Sequence, residues 1–479
     1  MLFNSISFVI FLTIVLCVIR IGGLRARNWL LLLSSIAFYT IGSWMLFKAK
    51  GAGNVGVYYT GLLGFNCMIA YYGALRIAGA ATPRGRRAWC TACVSVCVGL
   101  LCYFKYRGFF LDNFHTALAT MGWEAAQNSL SLILPAGISF FTFQAIAYVV
   151  DVHRGTTQAC RNLRDFLLFK TFFPQLIAGP IERANNLLPQ IQNPRRVTNS
   201  DIIEGLYLVL WGYCKKVVIA DNLALKIASL YNLNDFTAGD VFLAALGFTF
   251  QVYGDFSGYT DIARGVARWF GVNLMQNFNY PYFATSPQDF WRRWHISLGS
   301  WLREYLYIPL GGNRGSSLRT NFNLLLTMLI GGLWHGPSWS YIIWGAYQGV
   351  ILIAHRTYVK WRGERRHTHL SRICSMAVMF LFTIYGMFIF RLDSWEKIVT
   401  ATAAITHFQF AADFLPRLVK MLPYIALILA VETPQFLSRN PWFFVRRNPI
   451  FVAAFFLFLF YTILILGVTG GDQFIYFAF

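Results

Sequence analysis

Apolar residues form a series of long runs along the chain, separated by short segments rich in glycine, proline or charged residues. A helix needs about 20 predominantly apolar residues to cross a bilayer, and several of the runs approach that length. The pattern predicts an all-α polytopic membrane protein with about 11–12 crossings. The predicted crossings are residues 5–21, 28–47, 54–75, 88–104, 131–150, 201–220, 240–262, 320–334, 338–355, 373–390, 421–437 and 448–468.

Two further apolar segments contain too many polar residues to be simple crossings. Residues 166–180 include Lys170 and Gln175, and residues 283–310 include two prolines and several charges. Irregular backbone at membrane depth is stable only where protein or water satisfies its polar groups. We therefore expect both segments to be re-entrant elements that line a cavity. No linker or internal repeat is visible, so the sequence predicts one membrane domain over residues 1–479.

Composition and charge support this class. The chain is 57% hydrophobic and 13% charged, against roughly 25% charged residues in soluble domains. The formal net charge of +21 fits the enrichment of Lys and Arg in cytoplasmic loops better than nucleic-acid binding, so no nucleic-acid partner is expected. The basic residues fall in alternate loops, which places both termini outside the cytoplasm. Lys215 and Lys216 fit this orientation badly, because they lie near the outer end of a predicted crossing.

The first candidate site is the stretch SPQDFWRRWHISLGSWLREY, residues 286–305. Ser286 and Asp289 have the spacing of a capped helix start, and the apolar residues that follow have helical spacing. The sequence predicts one amphipathic helix with His295 on its apolar face. An interfacial helix whose histidine bonds a backbone carbonyl explains the pattern equally well. The pair Arg292–Arg293 suits either a phosphorylated donor or lipid phosphate.

The second candidate site is GGLWHGPSWSYIIW, residues 331–344. His335 ends a predicted crossing between glycines, which permit close backbone approach. In the predicted orientation His335 lies toward the outer side of the membrane, whereas His295 lies toward the cytoplasm. Burying an ionisable residue in a membrane is costly, so His335 is a functional candidate. A buried imidazole is neutral at pH 7 and suits proton removal from a hydroxyl; the structural alternative is a histidine that bonds a carbonyl at a helix end.

The third candidate site is FQVYGDFSGYTDIAR, residues 250–264. Asp255 and Asp261 lie within a predicted crossing and need partners there. They are suited to orient a histidine or to pair with an arginine, and a purely structural ion pair is as good an interpretation as a catalytic one.

The nine cysteines include four within residues 88–104. Because cysteine behaves as a small buried apolar residue, we expect packing roles and no metal site.

Several segments together resemble the membrane-bound O-acyltransferase family. The likeness is strongest to its bacterial branch, whose members act on alginate, peptidoglycan, cellulose and teichoic acid. Gln348 departs from the pattern, because relatives often have histidine there; an amide does not titrate, so no proton transfer is assigned to it. The segments are LPAGISFFTFQAIAYVVDVHRG (134–155), FFPQLIAGPIER (172–183), FQVYGDFSGYTDIA (250–263), DFWRRWHISLGSWLREYLYIPLGGNRG (289–315), GGLWHGPSW (331–339), FRLDS from Phe390, and FIYFAF (474–479).

The resemblance implies a ring of helices around a central tunnel that joins a cytoplasmic acyl donor to an extracytoplasmic acceptor. It implies His335 as the essential histidine and His295 as the second one. Acetyl-CoA is the implied donor, with no permanently bound cofactor. The implied partners are an extracytoplasmic acetyltransferase or esterase-like protein, polysaccharide synthase machinery and membrane lipids. The expected donor-binding or tunnel-lining residues are Asp289, Trp291, Arg292, Arg293, Trp294, Trp334, Asp255 and Gln175.

The leading hypothesis is an O-acyltransferase of the bacterial inner membrane that passes acetyl groups outward for O-acetylation of an exported polysaccharide such as alginate or cellulose. Peptidoglycan O-acetylation and D-alanyl transfer to teichoic acid are alternatives within the same family. A polysaccharide or lipid transporter is the alternative of another class, because transporters also use broken helices and charges at the bilayer midplane. The lack of visible inverted repeats disfavours the transporter.

Overall fold

The computed structural model describes residues 3, 5–19, 22–48, 53–123, 134–363, 368–468 and 474–475, and all regular structure in these ranges is helical. Three π-helical segments, Cys102–Tyr106, Cys214–Ala220 and Arg303–Tyr307, continue from α-helices. The α-helices are α1 Ile6–Val18, α2 Leu24–Lys48, α3 Gly53–Gly79, α4 Pro83–Leu101, α5 Arg107–Thr120, α6 Ile138–Arg154, α7 Leu163–Thr171, α8 Phe173–Leu176, α9 Ala184–Gln192, α10 Asn199–Tyr213, α11 Asp221–Ile227, α12 Ala238–Trp269, α13 Pro287–Arg293, α14 Ile296–Leu302, α15 Ser317–His335, α16 Trp339–Arg362, α17 His369–Arg391, α18 Trp395–Thr406, α19 Phe414–Ser438 and α20 Pro449–Leu466.

Each predicted crossing falls on a helix, which confirms the all-α membrane class. Among the described residues, five helical stretches are long and apolar enough to span a bilayer. The other predicted crossings are shorter or more polar; α1, for example, has 13 residues. The number of crossings therefore stays a prediction, as does the ring around a tunnel. The five stretches are Leu24–Lys48, Pro83–Thr120, His369–Arg391, Phe414–Ser438 and Pro449–Leu466. Residues 20–21, 131–133 and 476–479, which belong to predicted features, lie outside the described residues.

The chain divides into two compact units, and the single membrane domain predicted from the sequence stays a prediction. The first unit comprises Met1–Asp201 and Val266–Met275, and the second comprises Ile202–Gly265 and Gln276–Phe479. In the first unit α3 packs against α2, α4 and α6, and α7 packs against α2 and α9. In the second unit α15 packs against α16, and α16 also packs against α17 and α13.

The predicted break within residues 166–180 is present in the first unit. Helix α7 ends at Thr171, and the four residues of α8 follow. The amide of Phe173, at the break, donates to Ser35 Oγ at 3.1 Å. Lys170 is fully buried and donates from Nζ to the carbonyl of Phe141 at 2.5 Å. A side chain of α2 thus satisfies a backbone amide at the break, as a broken helix inside protein requires.

Glycines bring α10 and α12 into close backbone contact in the second unit. A Cβ atom at Gly258 would lie 2.7 Å from the carbonyl oxygen of Gly212, and one at Gly254 would lie 2.9 Å from the carbonyl oxygen of Lys215. Gly254 and Gly258 form a GxxxG pattern, in which small residues let two membrane helices approach. The π-helical segment Cys214–Ala220 continues α10 at this contact.

The close contact of these helices explains the lysines that fit the predicted orientation badly. Lys215 Nζ lies 2.5 Å from Asp261 Oδ2. Lys216 Nζ lies 2.7 Å from Asp255 Oδ1 and 2.8 Å from Asp221 Oδ1. Both lysines are buried, and a buried charge needs a partner of opposite sign. The sequence correctly required partners for the two aspartates, but the partners are chiefly lysines of the preceding helix.

Candidate active site

The helix start predicted before His295 is confirmed. Ser286 Oγ accepts a hydrogen bond from the amide of Asp289 at 3.2 Å. Asp289 Oδ2 in turn accepts from the amide of Thr285 at 3.2 Å. The first bond satisfies an amide that the first helical turn leaves without a partner, and the second ties the preceding Thr285 to the helix start. Asp289 Oδ1 also binds Arg293 Nε at 2.8 Å, while Arg292 is exposed.

The prediction of one continuous amphipathic helix from residue 286 to 305 is wrong. Helix α13 ends at Arg293, and α14 begins only at Ile296. Between them His295 has φ 43° and ψ 54°, in the left-handed region that few residues other than glycine adopt. Asn277 holds this break: its carbonyl accepts from the amide of Ile296 at 2.9 Å, and its Oδ1 accepts from the amide of Ser297 at 3.2 Å. Helical spacing in the sequence does not report this long-range anchor.

The break buries the imidazole of His295 among aromatic rings. His295 is 1% exposed. The ring of Phe256 meets the imidazole edge-on, with centroids 4.7 Å apart. Trp334 lies on another side, with a centroid distance of 5.9 Å and an interplanar angle of 68°. His295 therefore sits within the second compact unit rather than on an interfacial surface.

His335 is the last residue of α15 and is enclosed by three aromatic rings. Its imidazole stands nearly perpendicular to Trp344 and Phe390, at centroid distances of 5.2 Å and 5.1 Å. Trp334, the residue before it, lies 5.1 Å away at 79°. His335 is 5% exposed. An imidazole in such surroundings is shielded from water and suited to act as a base within a closed site.

The glycines around His335 have the role that the sequence predicted. A Cβ atom at Gly332 would lie 2.1 Å from the carbonyl oxygen of Tyr341, and one at Gly336 would lie 2.3 Å from the Tyr341 ring. Glycine alone permits this approach of α15 to the start of α16. The approach brings Trp344, on the next turn of α16, against His335.

The structure brings the two histidines into contact with the same indole. His295 contacts Trp334, and Trp334 contacts His335. The orientation predicted from the basic loops placed His295 and His335 toward opposite sides of the membrane. In the structure both imidazoles contact the ring of Trp334, which lies at the end of α15.

The other predicted site residues are divided between this cluster and other places. Trp291 meets Trp344 at 5.9 Å, and Trp294 stacks on Phe290 at 5.6 Å. Asp255 pairs with Lys216. Gln175 belongs to the first compact unit, where its Nε2 donates to the carbonyl of Phe169 at 2.6 Å.

Sequence reasoning missed several residues of the cluster. Trp344 ends the second candidate stretch and Phe390 begins a family-like segment, but nothing in their spacing predicts that they meet at His335. Gln348 is buried, and its Nε2 is 2.8 Å from the position of a Cβ atom at Gly386. Gly386 thus leaves room for the Gln348 amide, which fits a packing role.

Taken together, the helices and the buried histidine pair define a multi-pass membrane protein with an enclosed site suited to acid–base chemistry. The family model described as MBOAT, membrane-bound O-acyltransferase family, matches residues 160–395, which include both histidines. The chain is 42% identical over 399 residues to a probable alginate O-acetylase of Pseudomonas aeruginosa, covering 83% of this chain and 73% of that protein. The chain belongs to the membrane-bound O-acyltransferase family.

Two further relatives show the breadth of the likeness. A peptidoglycan O-acetyltransferase of Helicobacter pylori is 37% identical over 368 residues, covering 71% of this chain and 69% of that protein. A teichoic acid D-alanyltransferase of Bacillus subtilis is 27% identical over 275 residues, covering 54% of this chain and 69% of that protein. All three carry the name of an acyl-transfer enzyme, so the protein is an O-acyltransferase and the transporter hypothesis is set aside.

Proposed function

We propose that this protein passes acetyl groups from a cytoplasmic donor across the bacterial inner membrane for O-acetylation of an exported polysaccharide. The observation that carries the proposal is the pair of buried imidazoles, His295 and His335, which both contact the indole of Trp334. The alginate O-acetylation for which the relatives are named supports the acetyl group and the polysaccharide. Acetyl-CoA is the proposed donor, and no cofactor is bound permanently.

In the proposed reaction His335 is the general base. Its imidazole takes the proton of the acceptor hydroxyl as the hydroxyl oxygen attacks the thioester carbonyl. The carbon–sulfur bond then breaks, and the departing thiolate takes up the proton that the imidazole carries. Such proton transfer contributes about 10²–10⁴-fold to a rate. His295, with Asp289 and the neighbouring Arg292 and Arg293, positions the donor end.

The proposal includes partners on the outer side. An extracytoplasmic acetyltransferase or esterase-like protein completes transfer to the polymer, and polysaccharide synthase machinery supplies that polymer. The acceptor hydroxyl at His335 belongs either to that partner or to the sugar. Both termini are proposed to be extracytoplasmic, from the alternate basic loops.

The test is acetyl transfer from labelled acetyl-CoA in membranes that contain the protein and its polymer-modifying partner. His335→Ala is expected to lower transfer by about 10²–10⁴-fold, because the base is removed. His355→Ala is the matched control, since His355 lies half-buried on α16 away from the proposed reaction. If the His335→Ala variant inserts normally into the membrane and still transfers acetyl groups at the wild-type rate, His335 is not the general base.

D-alanyl transfer is the second candidate, because a teichoic acid D-alanyltransferase is among the relatives. Offering labelled acetyl and labelled D-alanyl thioesters in parallel decides between the two. Incorporation of D-alanine without acetate would overturn the proposed donor while leaving the family and the histidine roles in place.

A further inference from the structure

A short segment, Phe474–Ile475, packs against α12 beside the histidine pair. The Phe474 ring stacks on Tyr259 with centroids 4.7 Å apart, and it lies 5.8 Å from Phe256. Phe474 is 3% exposed. Phe256 is the ring that meets His295 edge-on at 4.7 Å. Phe256 therefore contacts both this segment and the imidazole of His295.

The backbone of the same segment is bound by a carboxylate of α12. The amide of Ile475 donates to Asp255 Oδ2 at 2.8 Å. The other oxygen, Asp255 Oδ1, lies 2.7 Å from Lys216 Nζ. A hydrogen bond from a backbone amide to an ionised carboxylate is stronger than one between neutral groups. Both ends of the Asp255 carboxylate are thus fixed, one by the lysine and one by the segment.

Charge neutralisation alone does not account for Asp255. Lys216 already has a carboxylate partner in Asp221, at 2.8 Å. A second buried carboxylate adds a desolvation cost that one lysine does not need. The bond to Ile475 gives the second carboxylate a role. Close packing of the helices brings Asp255 to Lys216, since a Cβ atom at the neighbouring Gly254 would lie 2.9 Å from the carbonyl oxygen of Lys215.

We propose that Asp255, oriented by Lys216, is a positioning residue that docks the segment Phe474–Ile475 against the His295 side of the site. The docked segment forms a wall of the site and holds Phe256 against the imidazole. The catalytic effect of this docking rests on the acetyl transfer proposed above. The docking itself does not depend on that activity.

Amide hydrogen exchange of the full-length protein in detergent, followed on the peptide that carries residues 474–475, tests the docking. Asp255→Ala is expected to speed exchange of the Ile475 amide by about tenfold or more, since the bond to a charged acceptor is lost. Asp255→Asn keeps an oxygen acceptor and should retain most of the protection. Asp261→Ala is the matched control, because it removes another ion-paired carboxylate from α12, one whose side chain is 15% exposed and pairs with Lys215. Unchanged exchange in Asp255→Ala would overturn the docking.

Acetyl transfer tests the positioning role. Asp255→Ala is expected to lower kcat about tenfold with the KM for acetyl-CoA unchanged, and Asp255→Asn is expected to recover most of the rate. Should Asp255→Ala not insert, Phe474→Ala must loosen the same amide and lower kcat, or the proposal falls. A loosened segment with wild-type kcat would also overturn it. If the wild-type protein transfers no acetyl group, the proposed function fails, and the exchange result still decides the docking.

Discussion

His295 combines a backbone role with a side-chain role, and the two are separable by substitution. Its left-handed conformation costs roughly 1–2 kcal/mol for a residue with a Cβ atom and nothing comparable for glycine. The imidazole is the proposed donor-positioning group. Two substitutions that both remove the imidazole, one relieving the backbone strain and one keeping it, therefore separate the effect on stability from the effect on catalysis.

We predict that His295→Gly unfolds at a higher temperature than His295→Ala, by the equivalent of about 1 kcal/mol, because only alanine keeps the strain. Both variants lack the imidazole and should transfer acetyl groups at the same reduced rate. Thermal unfolding of the purified protein and the labelled-donor assay measure the two effects. Equal melting temperatures would show that position 295 is not left-handed in the membrane.

Lys216 makes a second residue-scale prediction. Lys216→Met leaves Asp221 and Asp255 buried without their shared cation, which costs about 3–5 kcal/mol of unfolding free energy. Lys397→Met is the matched control: its partner Asp393, at 3.1 Å, has a side chain that is 72% exposed. An exposed pair contributes about 0–1 kcal/mol. Chemical or thermal unfolding in detergent measures both, and similar losses for the two lysines would contradict the buried network.

At the scale of elements, the glycine contact between α10 and α12 determines the geometry of that network. We predict that Gly258→Ala lowers the unfolding free energy by about 1–3 kcal/mol, because its methyl group meets the carbonyl of Gly212 and overpacks the contact. Gly99→Ala on α4 is the control, since nothing lies within 4 Å of a Cβ atom there. A neutral or stabilising Gly258→Ala would show that the helices separate at no cost.

The sequence predicted where the helices lie. It predicted the break within residues 166–180 but not the break at His295. Long apolar runs determine where helices form in a membrane, and short capping patterns such as Ser286 with Asp289 are local, so both were predictable. The break at His295 depends on Asn277, a residue outside the stretch. The pairing of Lys215 and Lys216 with aspartates of α12 was open to inference, because two adjacent charges in one crossing need two opposite charges in another.

The sequence identified the two histidines of the candidate site, but it did not predict which aromatic residues enclose them. Each motif identifies an imidazole that is costly to bury, and this needs no knowledge of the fold. The meeting of His335 with Trp344 and Phe390 depends on three different helices, α15, α16 and α17. Such convergence comes from packing at glycines and cannot be predicted from spacing along one helix.

At the scale of the whole molecule, the orientation in the membrane is the open prediction. The alternate basic loops place Gly363 in the cytoplasm and Gln409 outside. We predict that a membrane-impermeant thiol reagent labels Gln409→Cys in intact cells and labels Gly363→Cys only after the membrane is opened. Both positions are exposed on the protein, so accessibility itself is matched. The reverse pattern would invert the proposed direction of acetyl transfer.

The buried ion pairs between the segment 214–221 and α12 also bear on how the chain enters the membrane. Each charged residue at the centre of a lone helix adds about 2.5–3.5 kcal/mol to its insertion by the translocon. Lys215 and Lys216 on one predicted crossing are neutralised by Asp255 and Asp261 on the next. We therefore expect the two crossings to leave the translocon together, as one hairpin. The lipid phase would then accept a pair of helices that it rejects singly.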